Sequence, residues 1–70
     1  MTADQIAHMN RCSPAERPHF RHYVERHAEE YKKDWGPQGE TALIIDATLY
    51  ADLMVHQPVV ASELWPKEGT

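Results

Sequence analysis

Seventy residues of 8.1 kDa suffice for one folding unit, 1–70, and a chain this short buries only ~60% of the surface it exposes when unfolded. That excludes a second domain and an enzyme built around a deep pocket. Seven Lys and Arg against eleven Asp and Glu give a net charge of −4, which makes nucleic acid a poor expectation as partner, while 41% hydrophobic and 26% charged residues form a globular balance.

The N-terminus opens with Thr2 and, three residues on, Gln5, the spacing of a capping box, with Met1 and Ile6 placed as a hydrophobic staple. A short helix over about Ala3–Met9 is expected. Ser13-Pro14-Ala15-Glu16 is a second start signal, with an N-cap serine, proline at the first helical position and glutamate at N3. Pro18 lacks the N–H that would bond back to Pro14. The expectation is therefore that the Ser13 turn ends and a helix restarts with Pro18 in its first turn.

From Pro18 to Trp35, residues Phe20, Tyr23, Val24, His27, Ala28, Tyr31 and Trp35 recur at three- and four-residue steps, one apolar stripe at ~100° per residue. The other side carries Arg21, His22, Glu25, Arg26, Glu29, Glu30, Lys32 and Lys33. Arg21–Glu25, Arg26–Glu30 and Glu29–Lys33 stand at i,i+4, each opposite-charge pair worth roughly 0.2–0.5 kcal/mol. Gly36-Pro37 supplies the stop, and Pro37-Gln38-Gly39 a turn.

Thr41 to His56 reads as a helix with two apolar faces. Leu43, Ala47, Tyr50, Ala51 and Met54 share one, while Ile45, Leu49 and Leu53 form an i,i+4 ladder about 120° away. Asp46, Thr48 and Asp52 separate the two as solvated polar positions. The segment from Gln57 to Pro66 is read as a short helix over Pro58–Leu64 or an extended arm, with a frayed end from Lys67 to Thr70.

The fold class that follows is all-α: an antiparallel helical hairpin flanked by a short N-terminal helix and a short C-terminal helix or arm. Phe20, Val24, Ala28 and Tyr31 are expected to meet Leu43, Ala47, Tyr50 and Met54. The ladder Ile45, Leu49 and Leu53 then needs a cover, from Val59, Val60, Leu64 and Trp65, from Ile6 and Met9, or from a second chain. A homodimer joined through that ladder into a four-helix bundle is the expected solution.

Motifs for chemistry are sparse. Cys12 is the sole cysteine, so no intramolecular disulfide is possible. The first residues lack the basic and apolar regions of a secretory signal. The stretch from Ala42 to Val55, interrupted by Asp46 and Asp52, is too short to span a bilayer. A cytoplasmic protein without membrane association is expected. His8, Cys12, His19 and His22 offer four zinc-type ligands at short spacings, but no CxxC or HExxH pattern supports them. No phosphate loop, catalytic set, cofactor or metal is expected.

Charge is distributed unevenly. Residues 1–33 balance at +1 and hold four of the five histidines, whereas residues 34–70 balance at −5. The expected function is a non-enzymatic protein-interaction module that binds and modulates another cytosolic protein, such as a host regulator, with inhibition the favoured direction, using aromatic and arginine anchors. Phe20, Arg21, Tyr23, His27 and Tyr31 are the expected partner-binding residues, Tyr23 foremost as an exposed contact. Small inhibitors of host regulators encoded by phage or mobile elements, and small antitoxins, are comparable in size and composition only. The alternatives are a zinc module on His8, Cys12, His19 and His22, and a dimeric nucleic-acid-binding regulator.

Overall fold

The computed structural model describes residues 1–68. Among them the order of elements is α1 (Ala3–Arg11), α2 (Arg17–Trp35), a single 3-10 turn (Gly36–Gln38), α3 (Gly39–His56) and α4 (Pro58–Leu64), with no strand. None of these helices is long and apolar enough to cross a membrane.

The local signals explain the boundaries. At α1 the capping box is complete: the Gln5 amide donates to Thr2 Oγ1 at 3.2 Å, and the Thr2 amide donates to Gln5 Oε1 at 2.8 Å. The helix runs two residues past the expected Met9, to Arg11. Ser13 does not cap α2 directly. It opens a separate turn in which its amide and hydroxyl both donate to Glu16 Oε1. The helix restarts at Arg17 with Pro18 in the first turn, where a missing N–H costs no intrahelical bond.

Gly36 ends α2 at φ +62°, a left-handed conformation that glycine adopts without Cβ strain. Gly39 then begins α3 two residues earlier than the expected Thr41, and here the reason is closeness. A Cβ on Gly39 would lie 2.5 Å from the carbonyl oxygen of Tyr31, so only glycine lets α3 start against the backbone of α2.

With three residues between them, α2 and α3 run antiparallel. Tyr31 lies opposite Asp46, while His19 and His22 lie beside Tyr50 at the far end. Their interface is the core: Phe20, Tyr23 and Val24 of α2 against Leu43, Ile44, Ala47, Tyr50 and Ala51 of α3. Ala28, Tyr31 and Met54 pack at its margin together with Met9, Cys12 and Trp65. The all-helical class and the hairpin thus follow the sequence periodicity.

Candidate interaction site

Helix α3 divides as its two apolar faces require. Leu43, Ala47, Tyr50 and Ala51 are buried against α2, whereas Ile45 is 61% and Leu49 47% exposed; Leu53 is half-buried. The intramolecular covers considered from sequence go elsewhere. Helix α4 seats Ala61, while Val59 and Leu64 face outward, and Ile6 of α1 is likewise exposed. Trp65 turns its edge to Tyr50 and Tyr23, with ring centroids 5.3 and 5.9 Å away. The C-terminal segment therefore closes the aromatic end of the core and leaves Ile45 and Leu49 open.

The expected partner-binding residues fall into two groups. Phe20 is 0% and Tyr23 2% exposed, so neither presents a surface, and the expectation that Tyr23 is an exposed contact is corrected. Tyr23 sits at the stripe's edge on a helical wheel, but Trp65 covers that edge. The Tyr23 hydroxyl lies 2.6 Å from that of Tyr31, which donates to Asp46 Oδ2 at 2.6 Å. Because Tyr31 spends its one proton on Asp46, Tyr23 is the donor to Tyr31. Burial pushes both phenols above their ordinary pKa, and in Tyr31 the Asp46 carboxylate adds to the rise. Asp46 is therefore the acceptor that ends this chain, not a solvated separator.

His27, half-buried, also points inward. Its Nε2 stands 2.7 Å from Glu68 Oε1, His22 Nε2 stands 2.7 Å from Glu68 Oε2, and Arg26 Nε donates to Oε1 at 2.8 Å. The Glu68 side chain is 3% exposed. Burial raises its pKa, but hydrogen bonds from His22 and His27 and the charge of Arg26 outweigh that, leaving the carboxyl below its usual range. The expectation of a frayed end from Lys67 is corrected at this residue; Gly69 and Thr70 lie outside the described residues. Arg26 thereby leaves its expected i,i+4 partner Glu30, whereas Arg21 and Glu25 do pair. No periodicity pointed to Glu68, because its partners are 41 to 46 positions away.

Arg21, from the expected set, remains open to solvent. It borders a shallow groove between α1 and α2 that Met9, Pro14, Arg17, Pro18 and Arg26 also line. Arg17 is fixed there by donating to the carbonyls of Cys12 and Asn10. Its lining mixes apolar Met9, Pro14 and Pro18 with the three arginines, His22 and Glu25.

The four zinc-type candidates disperse. Among the described residues, His8, Cys12, His19 and His22 do not bring three ligand atoms to one point. Cys12 Sγ donates to the His8 carbonyl, the ring of His19 lies against Tyr50, and His22 serves Glu68. Burial and the neighbouring Glu16 raise the Cys12 thiol's pKa, the opposite of an activated thiolate. No family model, curated protein or solved structure matches this chain.

Proposed function

We propose that this chain is a non-enzymatic interaction module of the cytosol, pairing through the outer face of α3 and binding and inhibiting another protein through the α1–α2 groove. The observation that supports it is the exposure of Ile45 and Leu49 on a helix whose other face is fully used. With about half of each side chain still exposed, each would gain roughly 1–1.5 kcal/mol on full burial, a sizeable sum for a domain of ~3–5 kcal/mol. A second copy presents the same ladder, so a two-fold pairing of α3 with α3 matches apolar face to apolar face.

The groove takes the partner. Its lining joins Met9, Pro14 and Pro18 to Arg17, whose hydrogen-bond partners are neutral carbonyls, with Arg21 and Arg26 held beside it by Glu25 and Glu68. The uncompensated charge of Arg17 suits an acidic segment with apolar anchors, since charge complementarity steers and orients such contacts. Of the residues expected from sequence, Arg21 borders this groove, while Phe20 and Tyr23 belong to the α2–α3 core.

Light scattering at tens of micromolar tests the pairing. The expected mass is twice the 8.1 kDa chain, returning to a single chain in Ile45→Lys/Leu49→Lys with helix content retained. A wild-type monomer under these conditions overturns the pairing, as does a double variant that still dimerises.

A further inference from the structure

The end of the hairpin away from the Gly36–Gln38 turn gathers three donors that play no part in either surface above. Glu16 comes from the turn before α2, and Asp52 and His56 come from the last turns of α3. One oxygen of each carboxylate and one ring nitrogen of His56 lie within 4.8 Å of one another. Asp52 and His56 form an exposed i,i+4 pair, with Asp52 Oδ1 and His56 Nε2 3.5 Å apart. Two ligands at zinc-type bond lengths of ~2.0–2.1 Å in a tetrahedron are about 3.3 Å apart, so this pair is already spaced as ligands of one ion. Glu16 is held by the two Ser13 hydrogen bonds, which engage only Oε1.

We propose that Glu16, Asp52 and His56 form a binding site for a borderline divalent cation of the zinc, cobalt and nickel class. The imidazole distinguishes it from an ordinary acidic patch. Two carboxylates alone would suit magnesium or calcium, whereas a nitrogen donor at helical ligand spacing shifts preference to the later first-row metals. Charge supports the same reading. Glu16 and Asp52 are brought together without an arginine between them, because Arg17 serves backbone carbonyls, Arg21 serves Glu25 and Arg26 serves Glu68. A divalent ion balances the two carboxylates. Three protein ligands leave at least one position for water or an outside ligand.

The site also has a mechanical consequence. It ties residue 16 to residues 52 and 56 where no covalent turn joins α2 to α3, so the ion closes the hairpin at its open end. Binding to the folded form alone raises stability by mass action.

Cobalt(II) absorption, isothermal titration with zinc chloride and thermal unfolding provide the test on the full chain. The expected result is about one bound ion, no thiolate charge-transfer band, and a midpoint raised by ~4 °C or more at an excess of zinc. Magnesium produces none of this. His56→Gln weakens binding by about 10-fold or more, at least the cost of losing an outer-shell partner, while its helix content stays unchanged. Glu16→Gln and Asp52→Asn follow it, and Cys12→Ala and His8→Gln bind as the wild type does. Absence of binding at tens of micromolar overturns the proposal. So does binding that survives His56→Gln, or that is lost with Cys12 or His8. All samples are compared at one protein concentration, and the cobalt absorption and the zinc stoichiometry do not depend on pairing, so this test and that of the pairing fail or succeed separately.

Discussion

The two long helices, α2 and α3, are almost equal in length yet spend their surfaces differently. Helix α2 turns its stripe inward from Phe20 to Tyr31, leaves only Trp35 at its end 57% exposed, and dresses the remainder with charge: Arg21 pairs with Glu25, while His22, Arg26 and His27 converge on Glu68. Helix α3 buries one face just as completely, but its outer side carries Ile45 and Leu49 where α2 carries arginine and glutamate. A helix that is amphipathic once can bury its stripe within its own chain, whereas a helix that is apolar twice offers a second face for contact. The hairpin thus places its cohesion in the shared face and leaves Ile45 and Leu49 exposed on the opposite side of α3, the face proposed above for pairing.

The sharpest way to break that comparison is at the shared face. Phe20→Ala removes a fully buried ring, and the expected loss of about 3–5 kcal/mol equals most of the domain's stability. Far-UV circular dichroism should show a largely unfolded chain at 25 °C; a variant losing under ~1 kcal/mol would show that the α2–α3 interface does not hold the fold.

The charged side of α2 comes next. Glu68→Gln leaves His22, Arg26 and His27 without their carboxylate, and hydrogen bonds to a charged group are worth about 1.5–3 kcal/mol. The sign with pH follows from the lowered carboxyl. Its folded pKa lies below the unfolded one, so its contribution is complete above the ordinary carboxylate range and disappears as pH falls through the folded value. Urea unfolding between neutral pH and strong acid should therefore show a steeper acid loss in the wild type than in Glu68→Gln. Parallel curves would mean that Glu68 is as solvated unfolded as folded.

The smallest effect belongs to the outer face of α3. At concentrations where the chain is monomeric, Ile45→Ser should change stability by no more than ~0.5 kcal/mol. As concentration rises, the wild-type melting temperature should climb while that of Ile45→Ser does not. A large loss in the dilute monomer would place Ile45 in the core and erase the distinction between the helices.

Much of the fold was legible in local sequence. Thr2 with Gln5 and Gly36-Pro37 mark helix ends through backbone chemistry confined to a few residues, and the Phe20–Tyr31 and Leu43–Met54 stripes are periodic enough to show which faces meet. Legibility ended where the determining partner was remote. Nothing near Gly39 reveals that the Tyr31 carbonyl will lie where its Cβ would stand, a closeness that only a glycine at the start of α3 allows. Tyr23 looks half-exposed on a wheel because its cover, Trp65, is 42 positions further on. Asp46 resembles a spacer until the Tyr31 hydroxyl reaches it. The sites obey the same rule: Ile45 and Leu49 were readable as a ladder, whereas the Glu68 clamp and the meeting of Glu16 with Asp52 and His56 arise from tertiary proximity alone.

The three-residue connection between α2 and α3 also governs the order in which the molecule comes together. Closing so short a loop costs little chain entropy, and folds dominated by neighbouring segments complete in roughly microseconds to milliseconds. The Trp65–Glu68 stretch, by contrast, must search across more than half the polypeptide to find His22 and Arg26. Sealing the aromatic end of the core therefore carries a larger loop-closure cost than forming the hairpin beneath it.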